Sequence, residues 1–256
     1  MRRLAKNAAK LLLRRLGFEV RRAPVRVSRE TLVTQAGVDS EYYTEYSTRY
    51  PVFAPWTHPD FQAIFAEVAE LVAGSPERGY TLISFARYAK NLPGDFAECG
   101  VYQGGSALWL CRALEDTHKT LYLFDSFQGL PKPDPRYDPF FKEGQYAATA
   151  AAVKERLGGF EHITDFREGW IPDTFAGLEG RRYAFANIDL DLYQPTLDCC
   201  AYIYPRLVSG GVMLFDEYGW ASSHGEKAAV DEYFADKRDR PIALITGQAV
   251  VLKSPQ

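Results

Sequence analysis

Two short runs of acids each close an apolar stretch: Asn187-Ile188-Asp189-Leu190-Asp191 and Phe215-Asp216-Glu217-Tyr218. Brought together, four carboxylates cannot all ionise without a compensating cation. No clustered His or Cys accompanies them, and an oxygen-only set selects a hard metal, Mg²⁺ ahead of Mn²⁺ or Ca²⁺. Such an ion would lower the pKa of a substrate hydroxyl and fix its orientation, leaving a carboxylate outside the metal's shell to take the proton. The simpler alternative is a set of acids that cap neighbouring helices.

A second constellation is Glu98-Cys99-Gly100-Val101-Tyr102-Gln103-Gly104-Gly105-Ser106, at the end of an apolar run and the start of a helical pattern. Glycines there let backbone approach a ligand closely, and the free amides of a helix start favour an anionic group. The spacing is not the GxGxxG of dinucleotide binders. Glu98 would repel a pyrophosphate and welcome an ammonium group. Asp125 closes the next apolar run, where a carboxylate suits both hydroxyls of a ribose. An amino group, a carboxylate and a ribose together describe S-adenosylmethionine. A glycine loop used only for packing is the plain alternative.

Positioning these groups requires strands at 95–99, 120–125, 161–167, 183–189, 211–215, 241–246 and 249–253, with helices at 105–116, 147–157, 194–207 and 225–237. Strand and helix in alternation predict a parallel α/β sheet covered on both faces. Only Gly247-Gln248 separates the last two strands, so they form an antiparallel hairpin. The expected fold is a Rossmann-like, seven-stranded, mostly parallel sheet with one reversed strand. Strands one, four and five should be neighbours, which brings the four acids beside the glycine loop. Upstream, Thr57 reads as the N-cap of a helix with Phe61, Ile64, Phe65, Val68, Leu71 and Val72 on its buried face, and another helix follows over 78–91. The expected division is 1–75, a basic helix with an aromatic-rich arm and the first domain helix, and 76–256, the catalytic domain.

The chain has 256 residues, 46% hydrophobic, enough for one large α/β domain. It holds no apolar run of the roughly 18 residues a membrane span needs. Four cysteines, Cys99, Cys111, Cys199 and Cys200, show no metal-binding or disulfide spacing and read as reduced thiols of a cytoplasmic protein. Net charge is −3, yet residues 1–26 carry nine Lys/Arg and one Glu, so the body is acidic and nucleic acid is not the expected partner. Residues 2–17 form a basic amphipathic helix. Its apolar face packs on the domain or on a second subunit, making a homodimer the expected assembly; peripheral membrane contact through residues 1–22 is the alternative.

With those residues set out, the sequence resembles the macrocin O-methyltransferase (TylF-type) family of class I methyltransferases. The resemblance is carried by PGDFAECGVYQGGSA at 93–107, LFDSFQGLP at 123–131, NIDLDLYQPTLD at 187–198, SGGVMLFDEYG at 209–219 and GEKAAVDEYF at 225–234. It implies transfer of a methyl group to a hydroxyl of a small molecule, often on a sugar of an antibiotic. It also implies a metal on Asp189, Asp216 and Glu217, with Asp191 as base. Glu98, Gly100, Tyr102, Gly104 and Ser106 would surround the methionine end of S-adenosylmethionine, Asp125 and Ser126 the ribose, and Glu168, Gly169 and Trp170 the adenine. Two departures stand out: Glu217 where many members carry a second aspartate, and Leu190 where many carry glycine. Tyr218 and His224, in a loop near the acids, are candidate substrate contacts, although a surface loop is the simpler place for that histidine. The polar loop 131–145 lies beyond the ribose-binding strand end and is a candidate cover.

Two rival readings remain at this level. A metal-dependent glycosyltransferase would use Asp189-Leu190-Asp191 as a DxD motif, and binding of a nucleotide sugar would identify it. A membrane-associated binding protein without turnover would depend on residues 1–22, and liposome co-sedimentation with and without them would test it.

Overall fold

The computed structural model describes residues 54–255. The expectations for the basic helix and for nearly all of the aromatic arm lie outside the described residues. The chain divides into two units, Met1–His58 and Pro59–Gln256. In the described end of the first, Pro55–Thr57 is a single 3-10 turn. The Thr57 hydroxyl donates to the Ala54 carbonyl at 2.8 Å. Thr57 thus helps to close this turn.

The second unit opens with α1 (Pro59–Ala66). This helix is shorter than its apolar pattern suggests: Phe61 is buried within it, whereas Val68 is buried in the turns beyond. The next helix, α2 (Pro76–Ala89), starts with proline in its first turn, where a missing N–H costs nothing. Then come β1 (Asp95–Cys99), α3 (Gly105–Leu114), β2 (Leu121–Asp125), α4 (Ala150–Arg156), β3 (Thr164–Glu168), β4 (Tyr183–Ile188), α5 (Tyr193–Ile203), β5 (Leu207–Phe215), α6 (His224–Phe234), β6 (Ile242–Ala243) and β7 (Ala249–Leu252).

All seven strands form one sheet, in the order β3-β2-β1-β4-β5-β7-β6. Pairing is parallel from β3 across to β5, and β7 runs antiparallel to both β5 and β6. The predicted fold and hairpin are both present. Two strand limits differ from the sequence reading. β5 begins at Leu207, which pairs with Tyr183, and Gly210 and Gly211, which break the apolar run, bond Lys253 on the other side. β6 shortens to two residues, and the Leu244 amide turns toward the Gln248 carbonyl at 2.8 Å.

Strand residues alternate between two covered faces. On one face, Ala97, Cys99, Ile188, Met213 and Phe215 pack with Cys199, Cys200 and Ile203 of α5 and with Val230 and Phe234 of α6. Phe96, Glu98, Phe185 and Asn187 lie on the alternate positions, toward the other face, and Phe96 and Phe185 meet with ring centroids 5.2 Å apart. There α2 packs on α3 and against β4 and β5. Each fully buried aromatic or aliphatic side chain contributes about 1.5–3 kcal/mol, so these central strands are the most firmly held part of the molecule. All four cysteines are free and buried. Among the described residues no helix is long and apolar enough to cross a membrane.

Candidate active site

Sheet register decides where the acids fall. Glu98, Asn187 and Leu214 are in register across β1, β4 and β5, as are Cys99, Ile188 and Phe215. The ladder continues one step beyond the strands: Gly100 N bonds Phe124 O, Asp189 N bonds Cys99 O and Asp216 N bonds Ile188 O, each at 2.9 Å. Gly100, Asp189 and Asp216 therefore stand in a row at the carboxyl edge of the sheet, where ligands of such sheets bind. Gly100 has φ +88°, and a Cβ there would come within 1.8 Å of the Asp189 carbonyl. No other residue lets the loop pass that strand end.

A cavity of about 410 Å³ opens above this row. Its wall includes Gly100, Tyr102, Ser106, Asp125, Ser126, Gly169, Trp170, Asp189, Asp191, Asp216 and Glu217, so most of the predicted site residues share one space. The segment Leu71–Ser75, Arg78, and the loop residues Pro131, Lys132, Asp134 and Asp138 complete it. The predicted cover loop does reach the site.

Asp125 is the organiser of the loop. Its Oδ2 accepts the amides of Val101 at 2.7 Å and Tyr102 at 2.9 Å, and its Oδ1 accepts the Phe127 amide at 2.7 Å. Tyr102 and Phe127 are both left-handed, with φ 48° and 54°, so the carboxylate holds two unfavourable backbone conformations in place. A carboxylate offers about four lone-pair sites. With three taken, the carboxylate keeps acceptor capacity toward the cavity that it lines.

Glu98, Gly104, Glu168, Tyr218 and His224 do not line the cavity. Glu98 is fully buried beneath it, on the α3 side of β1, and burial pushes its carboxyl up to about 8. It bonds Ser106 and accepts from Asn187 Nδ2 at 3.3 Å. Through these bonds Glu98 positions Ser106 and Asn187, two residues of the cavity wall. Gly104 caps α3. Glu168 lies on the surface, where it pairs with Lys154. The Tyr218 hydroxyl donates to Asp231 at 2.6 Å, turned toward α6. His224 is exposed at the start of α6, edge-on to Phe140.

Among the described residues, Asp189, Asp216 and Glu217 each offer a carboxylate oxygen within 4.8 Å of the others. This all-oxygen set fits a hard divalent ion. Burial and the neighbouring Glu217 carboxylate raise Asp189 to about 7. Asp191 is raised to about 8 by burial and by Asp189. It sits at the centre of a three-residue turn, with φ 62° and Leu192 N bonded to Leu190 O at 2.6 Å. This sparsely populated backbone conformation places Asp191 in the cavity wall.

Sequence reasoning missed four groups. Arg78 pairs with both Asp216 and Glu217. Gln248 Nε2 donates to Asp216 at 2.6 Å. Glu226, fully buried, accepts the Glu217 amide at 2.8 Å, and burial raises its carboxyl well above the usual range. Asp138 accepts the Tyr193 amide at 3.1 Å and fastens the cover loop to the start of α5, where Tyr137 stacks on Tyr193. Arg78 alone had a local signal: a cation in the first turn of a helix opposes the dipole and calls for an acidic partner.

Strand order, reversed β7 and a glycine loop at the end of β1 together define the class I methyltransferase fold. The model of the macrocin-O-methyltransferase (TylF) family matches residues 84–254, and the chain belongs to that family. It is 33% identical over 143 residues to the 8-demethyl-8-(2,3-dimethoxy-alpha-L-rhamnosyl)-tetracenomycin-C 4'-O-methyltransferase of Streptomyces olivaceus, covering 51% of this chain and 55% of that protein. It is 32% identical over 142 residues to the mycinamicin III 3''-O-methyltransferase of Micromonospora griseorubida, covering 50% and 56%. The chain thus spans about half the length of these curated relatives. The solved O-methyltransferase NovP superposes with a TM-score of 0.62 at 25% identity, over 72% of this chain and 84% of that one.

Proposed function

We propose that the protein is an S-adenosylmethionine-dependent O-methyltransferase acting on a hydroxyl of a small molecule, a sugar or other vicinal diol. One observation carries this reading: a single cavity places the Asp125-pinned glycine loop beside Asp189, Asp191, Asp216 and Glu217. The first group suits a nucleoside bearing an amino acid, the second a hydroxyl that must lose a proton. Relatives named for methylation of a rhamnosyl-bearing compound and of mycinamicin support the same acceptor class.

S-adenosylmethionine supplies the electrophilic methyl group, and a divalent cation held by Asp189, Asp216 and Glu217 would acidify and orient the acceptor hydroxyl. The residues do the rest. Gly100, Tyr102 and Ser106 border the methionine end, Asp125 and Ser126 the ribose, and Gly169 and Trp170 the adenine. Asp191, in the cavity beside Asp189, is the carboxylate assigned to accept the hydroxyl proton, and a cation on the neighbouring acids would favour its ionised form. Apolar walls and the cover loop exclude water, and holding the reacting atoms in line provides much of the acceleration. A homodimer is the assembly proposed for the protein.

The test is methyl transfer from labelled S-adenosylmethionine to a panel of glycosylated small molecules and nucleotide sugars. Acceptor-dependent formation of S-adenosylhomocysteine supports the reading. Binding of nucleotide sugar with no binding of S-adenosylmethionine would replace it with the glycosyltransferase alternative.

A further inference from the structure

Arg78 occupies a seat built for a cation. Its residue is 7% exposed, at the start of α2, and its Nη2 pairs with Asp216 Oδ2 and Glu217 Oε1. The indole of Trp220 lies 5.5 Å from the guanidinium carbon, within cation–π range. Trp220 reaches that place over the hairpin turn, where a Cβ at Gly247 would meet its Nε1 at 2.8 Å. The other oxygens of the two acids are also engaged: Asp216 Oδ1 accepts from Gln248 and Glu217 Oε2 from Ser223 Oγ, at 3.3 Å in the second case. Every oxygen of the pair therefore has a donor within the protein.

An ion coordinated by Asp216 and Glu217 would need these same oxygens, and it would sit against a like charge at close range in a poorly solvated space. We propose that Arg78 and a divalent cation are alternative occupants of the Asp216–Glu217 pair, so that metal enters this centre by displacing the guanidinium. This rests on the metal reading given above and adds an internal competitor to it. Arg78 holds the two acids together in the metal-free protein and sets how tightly metal is held.

The experiment is Mn²⁺ titration followed by electron paramagnetic resonance, on the full-length protein and on Arg78→Gln and Arg78→Lys. Arg78→Gln should bind Mn²⁺ at least tenfold more tightly, and Arg78→Lys, which keeps a cation, should stay near the unmodified protein. Unchanged or weaker binding by Arg78→Gln, with binding intact in the unmodified protein, overturns the competition and leaves the metal reading standing. Absence of binding in all three overturns both. A second readout needs no change at Arg78: Mg²⁺ should produce a saturable change in indole fluorescence that is lost in Trp220→Phe, because the guanidinium leaves the indole face. Mg²⁺ binding by calorimetry without that signal would also contradict displacement.

Discussion

The acids around the cavity divide into two halves that the fold treats differently. On the β1–β2 side, Asp125 accepts three backbone amides, and Glu98 is buried and bonded to Ser106 and Asn187. On the β4–β5 side, Asp189 and Asp191 line the cavity with carboxylates that accept no hydrogen bond among the described residues, while those of Asp216 and Glu217 are held by Arg78, Gln248 and Ser223. A carboxylate engaged mainly by backbone amides organises the loop around it. One left with open lone pairs and a raised pKa is free for chemistry. In the proposed reading, cofactor binding falls on the β1–β2 side of the sheet edge and reaction on the β4–β5 side.

If that division is right, the reacting half is where substitution costs rate and little else. Asp191→Asn should lower kcat by about 10²–10⁴-fold, the range for loss of a general base, with S-adenosylmethionine affinity nearly unchanged. Single-turnover kinetics beside calorimetry would check it; equal loss of rate and affinity would merge the two halves.

The buried half should reveal itself in stability. Glu98 is raised from 4.5 to about 8, so between those values the folded state binds the proton more tightly than the unfolded chain. Its contribution is fully present below about pH 4.5 and is lost as pH rises toward about 8. Denaturant unfolding across that window should show a decline to which Asp189, Asp191 and Glu226 also contribute, and Glu98→Gln should make it shallower. A slope unchanged by the substitution assigns the whole effect to the other three acids.

The cover loop should give the smallest effect. Asp138→Ala loosens its attachment to the start of α5, and loss of one such hydrogen bond, about 1 kcal/mol, should raise the acceptor KM roughly fivefold while leaving cofactor binding alone. Steady-state kinetics with each substrate varied would separate the two.

Much of this arrangement was legible in the chain because strands buried on both faces read as apolar runs, and each run near the site ends in the residue that matters: Asp125, Asp189, Asp216. Glycines before α3 marked the loop. The facing of Glu98 was not legible, since a single residue's step along a strand sends the side chain to the opposite face, and only the position of α3 shows that this face is sealed. Arg78, Gln248, Glu226 and Asp138 escaped for a different reason. Their partners lie 138, 32, 9 and 55 residues away, and three of the four pairings exist only once the sheet has assembled. Glu226 was near its partner in sequence but masked by the helix pattern.

The central claim is that the Asp125-pinned loop holds S-adenosylmethionine, and titration calorimetry with the protein and with Asp125→Ala tests it most directly. The account predicts micromolar binding, about −8 kcal/mol, weakened at least tenfold (about 1.4 kcal/mol) by the substitution. No binding to folded protein, or equal binding by both, would contradict it.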